Sequence, residues 1–380
     1  MTEIAFYLSL LLVFYVYAGY PLLAALLGTL LNRHVRKAWF EPRVTILIAA
    51  YNEADGIAAT LENKCSLDYP HDKLEIVVIS DGSTDRTDEI VSSFADRNVR
   101  LLRQERRAGK TNALNTAVPL AQGEIIVFSD ANSMYAQDAL RRLLANFVDT
   151  EVGYVTGRMI YVNPDGTPIG EGCSAYMKYE NALRAIETRL GSVVGVDGGI
   201  DAMRRTLYRP MRADQLPDFV QPLMIVAKGY RVVYEPEALL WEHSLKEPDD
   251  EYRMRVRVSL RAFWALFDMR QLLMPGRNTL FAWQLWSHKV SRYLCFLFLL
   301  VAYVTNGILW DNGVGYRMVF MLQNGTYLLA LSMPYLEKLG FDVRVLIFGR
   351  YFLLLNVAAA HAFGKFLLGK KQVLWTPRKG

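Results

Sequence analysis

Three aspartates stand where a chain commonly brings a carboxylate to a ligand. Asp130 closes the apolar run EIIVFS (124–129), and Asn132 follows two residues on, so an extended backbone would point both side chains to one face. Such oxygens suit a hard cation, Mg2+ or Mn2+, that shares its shell with substrate phosphates. An Asx turn would account for the same residues structurally. Asp81 closes the run EIVVIS (75–80) and opens Asp81-Gly82-Ser83-Thr84-Asp85. There Gly82 permits a tight turn, and Asp85 reads as a cap for the next helix. Asp218, in Leu216-Pro217-Asp218-Phe219, is the one carboxylate in an apolar approach to a helix. That setting suits a general base, and equally a helix cap.

Two other stretches carry chemistry. Ala50-Tyr51-Asn52-Glu53 ends the run VTILIAA (44–50), where a turn and a carboxylate could grip a base and ribose. An ordinary strand-to-helix turn capped by Asn52 or Asp55 is the alternative. The loop Arg106-Arg107-Ala108-Gly109-Lys110-Thr111 contains GKT, but a P-loop needs a glycine five residues before Gly109, and Gln104 stands there. A P-loop ATPase is thereby excluded. Lys110, leading into a helix, is either a phosphate contact or part of a solvated charge run. AYNEAD in place of GxGxxG after the first strand excludes a Rossmann oxidoreductase.

These residues need a scaffold, and the runs that precede them predict one. The segments 44–50, 75–80 and 124–129 are short, apolar and rich in β-branched residues, as strands buried on both faces must be. Helix-like stretches at 54–65, 84–94 and 136–148 separate them. Strand and helix in alternation predict an α/β, doubly wound, mostly parallel sheet. In such sheets ligands gather beyond the carboxyl ends of the strands, which is where the polar groups stand.

The average composition, 52% hydrophobic and 21% charged, hides a mixed middle between apolar ends. Residues 4–31 carry no charge and are long enough to span a bilayer. Glu3 in place of a basic n-region, and the absence of a small-residue cleavage site, argue against a secretory signal. Arg33, Arg36 and Lys37 follow, which puts the middle of the chain in the cytoplasm. Residues 293–310 and 318–335 read as a hairpin of two spans. The run 351–364, confined by Arg350 and Lys365, reads as a re-entrant or interfacial helix. Three spans then keep Lys370, Lys371, Arg378 and Lys379 on the cytoplasmic side. Segments 251–271 and 281–293 interleave cations with aromatics, as helices in a membrane interface do. The expected organisation is a membrane helix with its basic flank (1–38), a cytoplasmic α/β domain (39–247), interfacial helices (248–292) and C-terminal membrane segments (293–380). A net charge of +5, clustered beside the apolar segments, suits anionic membrane lipids and not nucleic acid. Cys65, Cys173 and Cys295 lack CxxC spacing and read as reduced thiols. A transporter would need ionisable groups inside its spans, and the firm spans have none.

Taken together and in order, the motifs over 44–264 resemble the family 2 glycosyltransferases of the GT-A fold. The membrane-bound branch of cellulose, hyaluronan and chitin-oligosaccharide synthases is included in that resemblance. It implies that Ala50, Asn52 and Glu53 line a nucleotide pocket, that Asp81 reads uracil, and that Lys110 meets the diphosphate. Asp130 is similar to the first aspartate of a DxD metal motif, whose second position is here Asn132. Asp218 matches the end of the TED-like acceptor motif, although Leu-Pro precedes it, and Gly198-Gly199 matches the loop beside sugar and acceptor. The QxxRW signature is not present; Arg257, Arg261 and Trp264 are its nearest equivalents, which puts a wide polysaccharide channel in doubt. The implied activity is metal-dependent, inverting transfer from a UDP-sugar to a lipid-linked or growing polysaccharide acceptor at the cytoplasmic membrane. A catalytically weak or inactive subunit of a polysaccharide assembly complex is the alternative, and a homo-oligomer or assembly partner stays open.

Overall fold

A computed structural model describes residues 1–162, 168–243, 247–276, 278–338 and 344–374. Arg378 and Lys379, expected in a cytoplasmic tail, lie outside the described residues, as does the junction at 244–246.

Eight strands form one sheet: β1 (Val44–Ala50), β2 (Leu74–Asp81), β3 (Val99–Gln104), β4 (Ile125–Asp130), β5 (Met134–Tyr135), β6 (Val152–Val162), β7 (Ile200–Arg204) and β8 (Arg231–His243). Their order across the sheet is β3-β2-β1-β4-β7-β6-β8-β5. The first four are mutually parallel, and β7 runs antiparallel between β4 and β6. All seven residues of β1 are buried because apolar layers cover both faces. Ile46 and Ile48 enter one layer, under the helices Ile57–Cys65 and Ala139–Ala145; Leu47 and Ala49 enter the other, under Lys110–Ala117 and Pro217–Ala227. Burying each such large side chain contributes about 1.5–3 kcal/mol. That is why the central strands read as unbroken apolar runs.

Within the parallel block β3-β2-β1-β4, strand β3 is the one that the apolar pattern misses. It lies at the sheet edge, and its arginines sit among partly exposed positions, with Arg100 donating to Glu75 at 2.9 Å. The predicted helices at 54–65, 84–94 and 136–148 start late, at Ile57, Thr87 and Ala139. Turns precede each of them.

By length and composition, two described helices could cross a membrane, Thr2–Leu31 and Leu346–Leu367. The pair Thr279–Tyr293 and Cys295–Ile308, bent by 58°, would make a third span. Long apolar helices towards both ends are consistent with a multi-pass membrane protein whose sheet domain is cytoplasmic. Two expectations change. The last helix, Arg344–Leu367, runs well past the uncharged core of 351–364, because Arg350 and Lys365 are accommodated within it. The helix Val314–Lys338 is not among the candidate spans; Gln323 and Asn324 interrupt its apolar run. Behind the last helix, Lys371 pairs with Asp214 at 2.5 Å, and Trp264 Nε1 donates to Lys370 O at 2.8 Å. The start of the tail therefore lies against the sheet domain, on the domain's side of the membrane.

Candidate active site

The carboxyl ends of β1 and β4, the start of Pro217–Ala227 and the helix Pro248–Asp268 meet at a cavity of about 300 Å3. Its polar floor holds Glu53, Lys110, Asp130, Asn132 and Asp218. Lys110 is the hub. Its Nζ donates to Asp130 Oδ1 at 2.7 Å and stands 3.6 Å from Asp218 Oδ1. Burial pulls the ammonium pKa down, but Asp130 and Asp218 outweigh burial and raise it. The residue is thus held firmly cationic, not a member of a solvated charge run.

Asp218 is not a cap. The N-cap of its helix is Leu216, no side chain caps that end, and Pro217 occupies the first turn. Burial raises the Asp218 pKa, while the nearby Lys110 lowers it and Asp130 adds to the rise. Gly198 seats this carboxylate: at φ +87° it has the left-handed conformation that favours glycine, and a Cβ would lie 2.4 Å from Asp218 Cγ. Its N–H donates to Asp201 Oδ2 at 3.0 Å. Asp201 also accepts from Tyr154 at 2.9 Å, and burial pushes its pKa to about 7.

The loop that carries Asp130 and Asn132 is pinned from the helix Ile57–Cys65. Thr60 Oγ1 donates to Ala131 O and the fully buried Lys64 Nζ to Ser133 O, both at 2.5 Å, and Asn63 Nδ2 donates to Tyr135 O at 2.9 Å. Glu53 faces the same cavity, and burial, then Asp130, raise its pKa to about 7. Arg257 and Arg261 line the wall from Pro248–Asp268. Arg261 donates to Gln215 O and, at 3.2 Å, to Thr111 Oγ1, which ties the Gln215–Asp218 turn to the Lys110 helix.

Other expected site residues take different posts. Asp81 is fully buried and does not line the cavity. Its two oxygens accept from the N–H groups of Ala108 (2.7 Å) and Gly109 (2.9 Å), so it shapes the loop leading to Lys110. Asn52 holds the neighbouring turn, accepting from Thr84 N–H at 2.8 Å; Asp85 accepts from Thr87 N–H at 3.0 Å but is not the expected cap, since Arg86 is the N-cap of that helix and no side chain caps it. Gly82, at φ +72°, lets Arg107 N come within 2.9 Å of where a Cβ would be. Ala50 is buried in an apolar layer, and Gly199 packs under Leu240 and Ser133. Trp264 faces the tail, its ring 4.9 Å from Lys371 Nζ, and not the cavity.

Several residues were missed in sequence. Arg184 and Asp197 form a buried pair at 2.7 Å on the cavity wall. Glu180 gathers Lys289 at 3.4 Å, Arg292 and His288 on the membrane side. Glu242, 2% exposed, stands near the end of β8 at the floor. The carboxylates flanking the glycines in Asp197-Gly198-Gly199-Ile200-Asp201 were a readable signal; the Glu180 cluster, assembled from distant segments, left none. Tyr17 and Asn356, both on candidate spans, complete the lining, so the cavity opens between the sheet domain and the membrane helices.

Residues 45–209 match the model of the family described as Glycosyl transferase family 2. Over 168 residues the chain is 35% identical to a beta-monoglucosyldiacylglycerol synthase of Nostoc, covering 43% of this chain and 36% of that protein. Over 205 residues it is 30% identical to a poly-beta-1,6-N-acetyl-D-glucosamine synthase of Staphylococcus aureus, covering 52% and 49%. The chain thus spans half or less of the length of these curated relatives. A mannosyltransferase from Pyrobaculum calidifontis, solved with GDP-Man and Mn2+, superposes with a TM-score of 0.75 over 97% of this chain and all of that one, at 24% identity. The fold is GT-A. Family and fold similarity together support glycosyltransferase activity of the family 2, GT-A type at a membrane. They do not single out the cellulose, hyaluronan and chitin branch.

Proposed function

We propose that this chain transfers a sugar, with inversion, from a nucleoside diphosphate donor to an acceptor hydroxyl presented at the cytoplasmic face of the membrane. One observation carries the reading: Asp130, Lys110 and Asp218 converge in a cavity whose opposite wall comes from membrane helices. A UDP-sugar is the donor favoured by the motif resemblance, and a lipid-linked or growing glycan is the acceptor favoured by the membrane-side wall. The relatives, by their names, make a glucosylated diacylglycerol and a polysaccharide, and a lipid or a glycan acceptor would each fit a mouth of this kind.

Lys110 and Arg261 place positive charge where a departing diphosphate gains negative charge, an interaction that strengthens in the transition state. Asp218 accepts the proton of the acceptor hydroxyl as that oxygen attacks the anomeric carbon opposite the leaving group. The bond to the diphosphate breaks as the new glycosidic bond forms, so a single displacement inverts the centre. Lys110 keeps Asp218 ionised, and burial keeps it basic. Asp130 and Asn132 offer a hard donor set for Mg2+ or Mn2+, which would neutralise the diphosphate when bound. No group of three or more His, Cys, Asp or Glu among the described residues could hold a cation alone. Substrate phosphates would supply further oxygens to it.

The test is incubation of membranes containing the protein with radiolabelled UDP- and GDP-sugars, followed by mass spectrometry of the lipid and polymer products. Transfer abolished by Asp218→Asn supports the proposal. A protein that binds nucleotide yet transfers nothing in native membranes refutes it in favour of a non-catalytic assembly subunit.

A further inference from the structure

An amide at position 132 carries no charge with which to hold a cation, yet the structure brings a carboxylate to it from another strand. Asn132 Nδ2 donates to Glu242 Oε1 at 3.2 Å. Glu242, the last residue but one of β8, is buried and lines the same cavity as Asp130 and Asn132. Register explains the meeting: Trp241 pairs with Met134 across β8 and β5, which sets the next residue beside the Asp130–Ser133 turn. A carboxamide that donates through its nitrogen turns its oxygen the opposite way. Asn132 Oδ1 is thereby left as the acceptor available to a cation. Carboxylates behind the ligands of a metal site commonly orient those ligands in this manner.

We infer that Glu242 is a positioning residue for the donor's divalent cation. It aims the Asn132 oxygen and supplies, from β8, the negative charge that an aspartate at 132 would carry. This inference rests on the cation-assisted reading above. An aspartate at 132 restores the commoner motif, but here it would set two carboxylates about as close as the present 3.2 Å contact. The charge can be moved between the two positions but not doubled.

The test is Mn2+ affinity of the full-length protein in detergent, read from the EPR signal of free Mn2+ in the presence of UDP and, separately, GDP. Glu242→Gln keeps an acceptor for Asn132 and removes the charge; Mn2+ affinity should fall about 10- to 100-fold, the usual scale for an outer partner of a metal ligand. Asn132→Asp alone should destabilise the protein in chelator. The double variant Asn132→Asp, Glu242→Gln should recover most of the lost Mn2+ affinity, which a merely structural role for Glu242 would not produce. Glu242→Gln with wild-type Mn2+ affinity, or a double variant no better than Glu242→Gln, overturns the inference and leaves the proposed transfer standing. A wild-type protein that binds nucleotide but no Mn2+ overturns the cation reading and the inference together.

Discussion

Replacing Asp218 by Asn removes a charge and a proton acceptor while leaving almost every other contact of the side chain in place. The volume is conserved, so the seat against Gly198 is undisturbed. The helix start does not depend on it, because Leu216 is the N-cap and no side chain caps that end. Lys110 keeps its 2.7 Å bond to Asp130 and so stays charged at the place where a diphosphate would meet it. Nucleotide affinity should therefore be nearly unchanged, whereas transfer should fall by about 10²- to 10⁴-fold, the usual scale of general-base removal. In barrier height that is about 2.7–5.4 kcal/mol. The pH profile adds a second readout. A base must be unprotonated, so wild-type transfer falls as pH drops through the pKa of Asp218, which burial raises from its ordinary value. The variant's residual rate should lose that limb. Transfer rate and nucleotide dissociation constant, measured on one preparation, decide the matter. Near-normal transfer in Asp218→Asn would make the 3.6 Å contact with Lys110 a structural ion pair and remove the base from the mechanism.

Gly198→Ala should abolish transfer, because the new Cβ would lie 2.4 Å from Asp218 Cγ at a backbone φ of +87°; loss of more than about 10²-fold, with nucleotide binding retained, checks it. Glu53, with a pKa of about 7, is mostly protonated at pH 6 and mostly ionised at pH 8. Affinity for a nucleotide sugar, whose diphosphate does not titrate in that range, should therefore strengthen as pH falls, and Glu53→Gln should flatten the dependence in calorimetric titrations. Gln372→Cys should resist an impermeant thiol reagent in intact cells and react after permeabilisation, because the neighbouring Lys371 is paired with Asp214 of the sheet domain. Ready labelling in intact cells would put the tail on the other side.

Much of this protein was determined by sequence through local rules. The runs at 44–50, 75–80 and 124–129 read as strands buried on both faces, because they are β-branched, end in turn residues and are too short for a buried helix. The place of Asp130 at the cavity followed, since the end of a parallel strand is where side chains leave the sheet. The anchor at the N-terminal side was legible for a similar reason: its apolar run is uninterrupted and long. Pairings between distant segments were not legible, and the tertiary structure decided them. Asp81 stands at a strand end as Asp130 does, yet the fold lays the Ala108–Gly109 backbone across both of its oxygens. Trp264 shares a helix with Arg257 and Arg261 but projects to the tail while they face the cavity, a difference of helical phase that only packing reveals. The cap alternative at Asp218 fell once Leu216 took the cap, and Lys110, 108 residues earlier in the chain, stands 3.6 Å from its carboxylate. Glu242 reached Asn132 only because β8 pairs with β5 in one particular register. Hydrophobic periodicity is a local property of the chain and can be read along it. The charge that faces a carboxylate is set by strand order, and strand order is settled by the packing of the whole sheet.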